Sequence, residues 1–150
     1  MQIRHNNFEY FQPNKKKKKA CDCAIRAIAK ALNISWVEAF DLLAEEARKQ
    51  QDSINSREVY GQVLLNHNFI YNKLAIKKGS KRPKVFEAAK QLKNQIAVFN
   101  VANHVVTAQN GKYYDIWDSG DCCLYGYYTK GWCLWNKLYY GKHKTVCNLK

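Results

Sequence analysis

The chain has 150 residues, of which 47% are apolar, 13% aromatic and 25% charged; that suffices for one self-sufficient core and is too short for two comfortable domains. Seven Gly and two Pro exclude a collagen-like or low-complexity chain, and no run of roughly 18 apolar residues offers a membrane-spanning helix. Twenty-five Lys and Arg against 12 Asp and Glu leave a net charge of +13, a surplus that attracts nucleic acid, an anionic surface or an acidic protein without selecting among them.

Residues 1–19 read as a polar, solvated lead-in that ends in the basic block Lys15, Lys16, Lys17, Lys18 and Lys19, and residues 20–150 read as a single domain. Met1 to Asn14 lack the apolar stretch of a secretory signal, so a cytoplasmic location is expected. There the six Cys should remain thiols. Their spacings, Cys21-x-Cys23 and the adjacent Cys122-Cys123, are not those of zinc knuckles, so neither metal nor cofactor is expected. Cys122, Cys133 and Cys147 read as small buried hydrophobes.

From Cys21 onward the pattern changes. Ile25, Ile28, Ala29 and Leu32 follow the stripe of a buried helix, with Asp22 as its N-cap and Asn33 as its stop. Ser35 opens a second helix with Glu38 completing a capping box, and Trp36, Phe40, Leu43, Ala44 and Ala47 form its apolar face. Ser56 caps a third helix bearing Val59, Tyr60, Val63 and Leu64. Phe69 to Ile76 read as a strand or extended segment, and Pro83 falls in the first turn of a fourth helix with Val85, Phe86, Ala89 and Leu92. The period then shifts from 3.6 to 2. Ile96–Val101, Asn103–Gln109 and Lys112–Asp118 read as strands around an Asn110-Gly111 turn, and the Tyr- and Trp-rich tail from Leu124 to Val146 adds one or two more. Helices first and an antiparallel sheet after them make an α+β domain.

Cys23 is the cysteine that points to chemistry. It stands at the start of an apolar helix, where unpaired N–H groups and the helix dipole favour a thiolate, and it falls just outside the Ile25/Ile28/Leu32 stripe. Of the four His, His5 lies in the lead-in, His67 ends the third helix and His143 sits near the basic C-terminus. His104 opens the apolar strand Val105–Ala108, where a base could be held rigidly, although a hydrogen-bonded sheet-edge His would look the same.

The hairpin suggests its partner. A loop of Asn110 to Lys112 puts His104 opposite Asp118 at the open end of an apolar face containing Val106, Ala108, Tyr114 and Ile116. A tighter turn of Asn110-Gly111 alone would instead place Asp115 on the face of Val106 and Ala108, burying a carboxylate mid-sheet at a cost of several kcal/mol unless it is paired. The burial pattern therefore favours Asp118 as the orienter of His104, with Asp115 as the alternative. Arg26, one turn after Asp22, reads as a structural i, i+4 partner.

Three segments, Asp22-Cys23-Ala24-Ile25-Arg26-Ala27-Ile28-Ala29, Asn103-His104-Val105-Val106-Thr107-Ala108 and Tyr114-Asp115-Ile116-Trp117-Asp118-Ser119, together resemble small papain-like proteins of bacteriophage and prophage genomes. The resemblance runs from about Cys21 to Tyr128. It implies a papain-like fold, N-terminal helices packed on a C-terminal antiparallel sheet, and a thiol hydrolase, a peptidase or isopeptidase. Cys23 would be the nucleophile, His104 the base and Asp118 the orienter, acting on a protein or peptide substrate in a host cytoplasm. Such peptidases usually carry a Gln six residues before the Cys as an oxyanion donor. Here that position is Lys17, which leaves Gln12 and Asn14 as oxyanion candidates. The alternative is a catalytically degenerate basic protein that binds a host nucleic-acid or protein system; the Tyr cluster from Tyr125 to Tyr140 reads as sheet core and rim, yet could also stack single-stranded bases.

Overall fold

The computed structural model describes residues 2–16 and 19–131. Lys17, Lys18, Cys133, His143, Cys147 and the tail beyond residue 131, where a further strand was expected, lie outside the described residues. Within them the chain is α+β: four helices and a six-stranded mixed sheet. No described helix is long and apolar enough to cross a membrane.

The helices form where capping and periodicity place them. α1 (Cys23–Leu32) ends at Asn33, whose left-handed φ of 55° turns the chain out of the helix. α2 (Trp36–Gln50) starts with the capping box of Ser35 and Glu38, and α3 (Arg57–Asn66) with the Ser56 side chain on the N–H of Val59. α4 (Val85–Gln91) begins two residues after Pro83, which precedes the helix and does not fall in its first turn; Lys84 is its N-cap, and the Glu87 carboxylate accepts from the Lys84 N–H at 2.9 Å.

The strands are β1 (Phe8–Tyr10), β2 (Phe69–Lys73), β3 (Ala97–Val101), β4 (His104–Gln109), β5 (Lys112–Asp115) and β6 (Gly126–Lys130), in the order β1-β5-β4-β3-β6-β2. All neighbours are antiparallel except β1, which runs parallel to β5 with Phe8 opposite Tyr113. The solvated lead-in expected over residues 1–19 is thus corrected: its middle is an edge strand with Asn7 and Phe8 buried. A strand of three residues carries too short an alternation to register as one in the sequence.

Helices cover both faces of the sheet. Val98, Val105 and Tyr128 join Ile28, Leu43, Val59 and Leu64 in the core beneath α1 to α3. Their chain neighbours Phe99, Val106 and Tyr127 point the other way and pack with Val85, Ala89 and Tyr113 beneath α4. The period of two is what divides them. The Thr107 hydroxyl donates to the Ala27 carbonyl at 2.8 Å, pinning α1 onto β4. From that pin, Cys23 is one helical turn back and His104 three strand residues back, so both come to the same end of the sheet.

Candidate active site

The β4–β5 turn decides the site. Asn110 and Gly111 have φ of 54° and 80°, both left-handed, as a two-residue type I′ hairpin demands. The pairs are Gln109↔Lys112, Ala108↔Tyr113 and Thr107↔Tyr114. The expected loop of Asn110 to Lys112 is therefore one residue too long, and the assignment of Asp118 to His104 is corrected with it. Asp115 is the partner: its carboxylate meets His104 Nε2 at 2.6 Å.

The cost that argued against burying Asp115 is offset by its partners. Only 2% exposed, Asp115 also accepts from the Ser119 hydroxyl at 2.8 Å, its neighbour's Ile116 N–H at 2.8 Å and Arg26 at 3.4 Å. These donors and cations compensate the carboxylate for the water it has lost. Arg26 does more than form its i, i+4 pair with Asp22: it bridges Asp22 and Asp115. Arg26 as a holder of the carboxylate was missed by sequence reasoning because it lies 89 residues away, and Ser119 because a spacing of four outside a helix carries no fixed meaning.

Asp118 has different work. It accepts from the backbone N–H groups of Arg4, at 2.7 Å, and His5, at 3.1 Å, and from the Tyr113 hydroxyl, and it pairs with the His5 ring at 3.1 Å. Burial pushes its pKa up, but these donors outweigh that and hold it well below the usual carboxylate range. Asp118 thus ties the N-terminal segment to the sheet. His5, expected in a solvated lead-in, stacks on Phe86 with ring centroids 4.4 Å apart.

Cys23 and His104 line one cavity of about 740 Å³ with Asn55, Tyr60 and Trp117. Burial pulls the His104 pKa down; hydrogen bonding and charge from Asp115 and Cys23 pull harder, and the value is raised to about 9. His104 is accordingly an imidazolium at neutral pH. The Trp117 ring lies against it at 5.2 Å. Cys23 is half-buried, and its sulfur faces Asn55 Oδ1 at 4.0 Å, while Asn55 Nδ2 donates to the Cys21 carbonyl at 2.8 Å. Asn55, in the loop before α3, carried no signal in the sequence. The other cysteines differ: Cys21 and Cys123 are exposed, and burial pushes the Cys122 thiol up as it packs beneath α4.

Asp22 occupies the N-cap position of α1, but its side chain caps nothing there. It accepts instead from Arg26, from Trp36 Nε1 at 3.0 Å and from Asn14 Nδ2 at 3.4 Å. The start of α1 therefore keeps its positive character for whatever stands at Cys23.

The oxyanion candidates Gln12 and Asn14 are not brought to the thiol. Asn14 gives its amide N–H to Asp22, Gln12 accepts from the Asn14 backbone N–H at 3.1 Å, and neither lines the cavity. Both follow β1, whose pairing with β5 carries that stretch along the sheet edge. Of the basic block, Lys19 lines the cavity and Lys15 and Lys16 sit in an exposed turn. Among the described residues no cluster of three or more His, Cys, Asp or Glu could hold a metal ion.

No protein-family model matches this chain, and neither does any curated protein or solved structure.

Proposed function

We propose that the chain is a thiol hydrolase of papain-like type in which Cys23 attacks an acyl carbon, His104 transfers the proton and Asp115 orients His104. The observation that carries this reading is the buried Asp115 carboxylate on His104 Nε2, with the thiol of Cys23 sharing the cavity. A protonated imidazole and an uncapped helix start are the setting in which a cysteine acts as nucleophile. With Nε2 taken by Asp115, Nδ1 is the ring nitrogen left for the sulfur.

The thiolate forms a bond to the carbonyl carbon, and the developing oxyanion is met by the backbone N–H at the start of α1. The C–N bond then breaks as His104 gives its proton to the leaving amine. Water adds to the thioester, His104 takes the proton, and the C–S bond breaks to restore the thiolate. An amine acceptor in place of water would give acyl transfer by the same steps. Peptide or isopeptide bonds are the substrates this machinery suits.

Alkylation by iodoacetamide at neutral pH, mapped by mass spectrometry, tests the reading. Cys23 should react at least about tenfold faster than the exposed Cys21 and Cys123, and His104→Ala should abolish the difference. Equal rates at the three thiols would overturn it.

A further inference from the structure

We infer that the cleft beside Cys23 takes acyl substrates bearing a carboxylate side chain next to the bond under attack, with Arg57 as the anchor; this rests on the thiol-hydrolase reading and deepens it. The cavity is lined by Lys19, Arg26, Arg57 and His104, and among the described residues by no Asp or Glu. Two of those cations are already neutralised, Arg26 by Asp22 and Asp115, and His104 by Asp115. Among the described residues no ion pair involves Arg57 or Lys19.

Arg57 is also held in place. Its guanidinium donates to the Tyr71 hydroxyl and lies 5.4 Å from the centre of that ring. Its charge also opposes the rise that burial gives the Tyr128 hydroxyl, on the residue directly opposite Tyr71 across the β2–β6 ladder. An exposed arginine normally samples many rotamers, so this one is pre-organised. Its position gives the helix nothing: Arg57 is the first residue of α3, where the dipole disfavours a cation. The Tyr71 contacts offset that cost but leave the charge unpaired, and a fixed guanidinium in a cleft with no carboxylate among the described residues selects an anionic ligand.

Pairs of peptidyl acyloxymethyl ketones that differ only as Asp against Asn, or Glu against Gln, beside the reactive carbon would test this on the full chain at low salt. The acidic member should alkylate Cys23 about tenfold faster than its neutral partner, the scale of one charged hydrogen bond. Arg57→Gln should bring that ratio within about twofold, whereas Lys78→Gln, equal in charge change and outside the cavity, should keep it. Equal rates in the parent protein, a preference that survives Arg57→Gln, or an equal loss in Lys78→Gln would overturn the proposal. Uncharged iodoacetamide separates the two readings. Fast alkylation of Cys23 without charge preference removes only the acidic specificity, and slow alkylation removes both.

Discussion

Replacing Asp115 with Asn removes one charge from the site and little of its shape. The carboxylate holds His104 Nε2 at 2.6 Å and, with Cys23, raises the imidazole pKa to about 9 against the opposing pull of burial. Without it only Cys23 is left to oppose burial, and the pKa should fall well below 9. A drop of about two units corresponds to ~3 kcal/mol of lost imidazolium stabilisation. The sign of the stability change follows. A folded-state pKa raised above the unfolded value gives stabilisation that is complete below about pH 6.5 and lost as the pH rises through about 9. The parent protein should therefore lose stability across that window through His104, and Asp115→Asn should not. An NMR titration of the His104 ring, assigned with His104→Gln, reads the pKa; urea unfolding at about pH 6 and about pH 10 reads the linkage. Asp118→Asn is the control, because Asp118 has no bond to His104. A His104 pKa near 9 in Asp115→Asn, or an equal drop in Asp118→Asn, would show that the orienter is misassigned.

Asp118→Asn should act elsewhere, speeding amide hydrogen exchange over Arg4 to Tyr10 and costing ~1–3 kcal/mol in urea unfolding, because it weakens the donors that tie β1 to the sheet; unchanged exchange would contradict that tether. Gly61→Ala in α3 should destabilise by ~1–3 kcal/mol although Ala is the better helix former, since a Cβ there meets the Tyr128 hydroxyl. Adding Tyr128→Phe should recover part of the loss in the same unfolding assay. Any binding of single-stranded DNA by this +13 chain should be electrostatic. Fluorescence anisotropy should show affinity falling steeply with salt, with Lys15–Lys19→Ala flattening the slope by up to about four and Cys23→Ala leaving it unchanged.

The four helices were legible because each signal is local. Ser35 with Glu38, Ser56, and the stripe of Ile25, Ile28 and Leu32 act within one or two turns of chain and do not depend on what lies across the core. Cys23 at a helix start and His104 at a strand start were legible for the same reason. Asn110-Gly111 also carried the right answer, since two adjacent residues suited to left-handed φ favour the two-residue turn. The error lay in weighing a buried Asp115 against that turn as though the carboxylate would be alone. Whether burial of a charge is costly depends on partners distant in sequence. Arg26 lies 89 residues away from Asp115 and His104 lies 11, and nothing in the local pattern announces either bond. The edge strand at Phe8–Tyr10 was hidden likewise, because its stability comes from pairing with β5 and from the Asp118 tether rather than from its own three residues. Periodicity and capping are short-range properties and are written in the chain. The ionic partners of a buried carboxylate, the holding of Arg57 by Tyr71 and the meeting of Cys23 and His104 in one cavity are long-range, and they exist only once the sheet has brought those segments together.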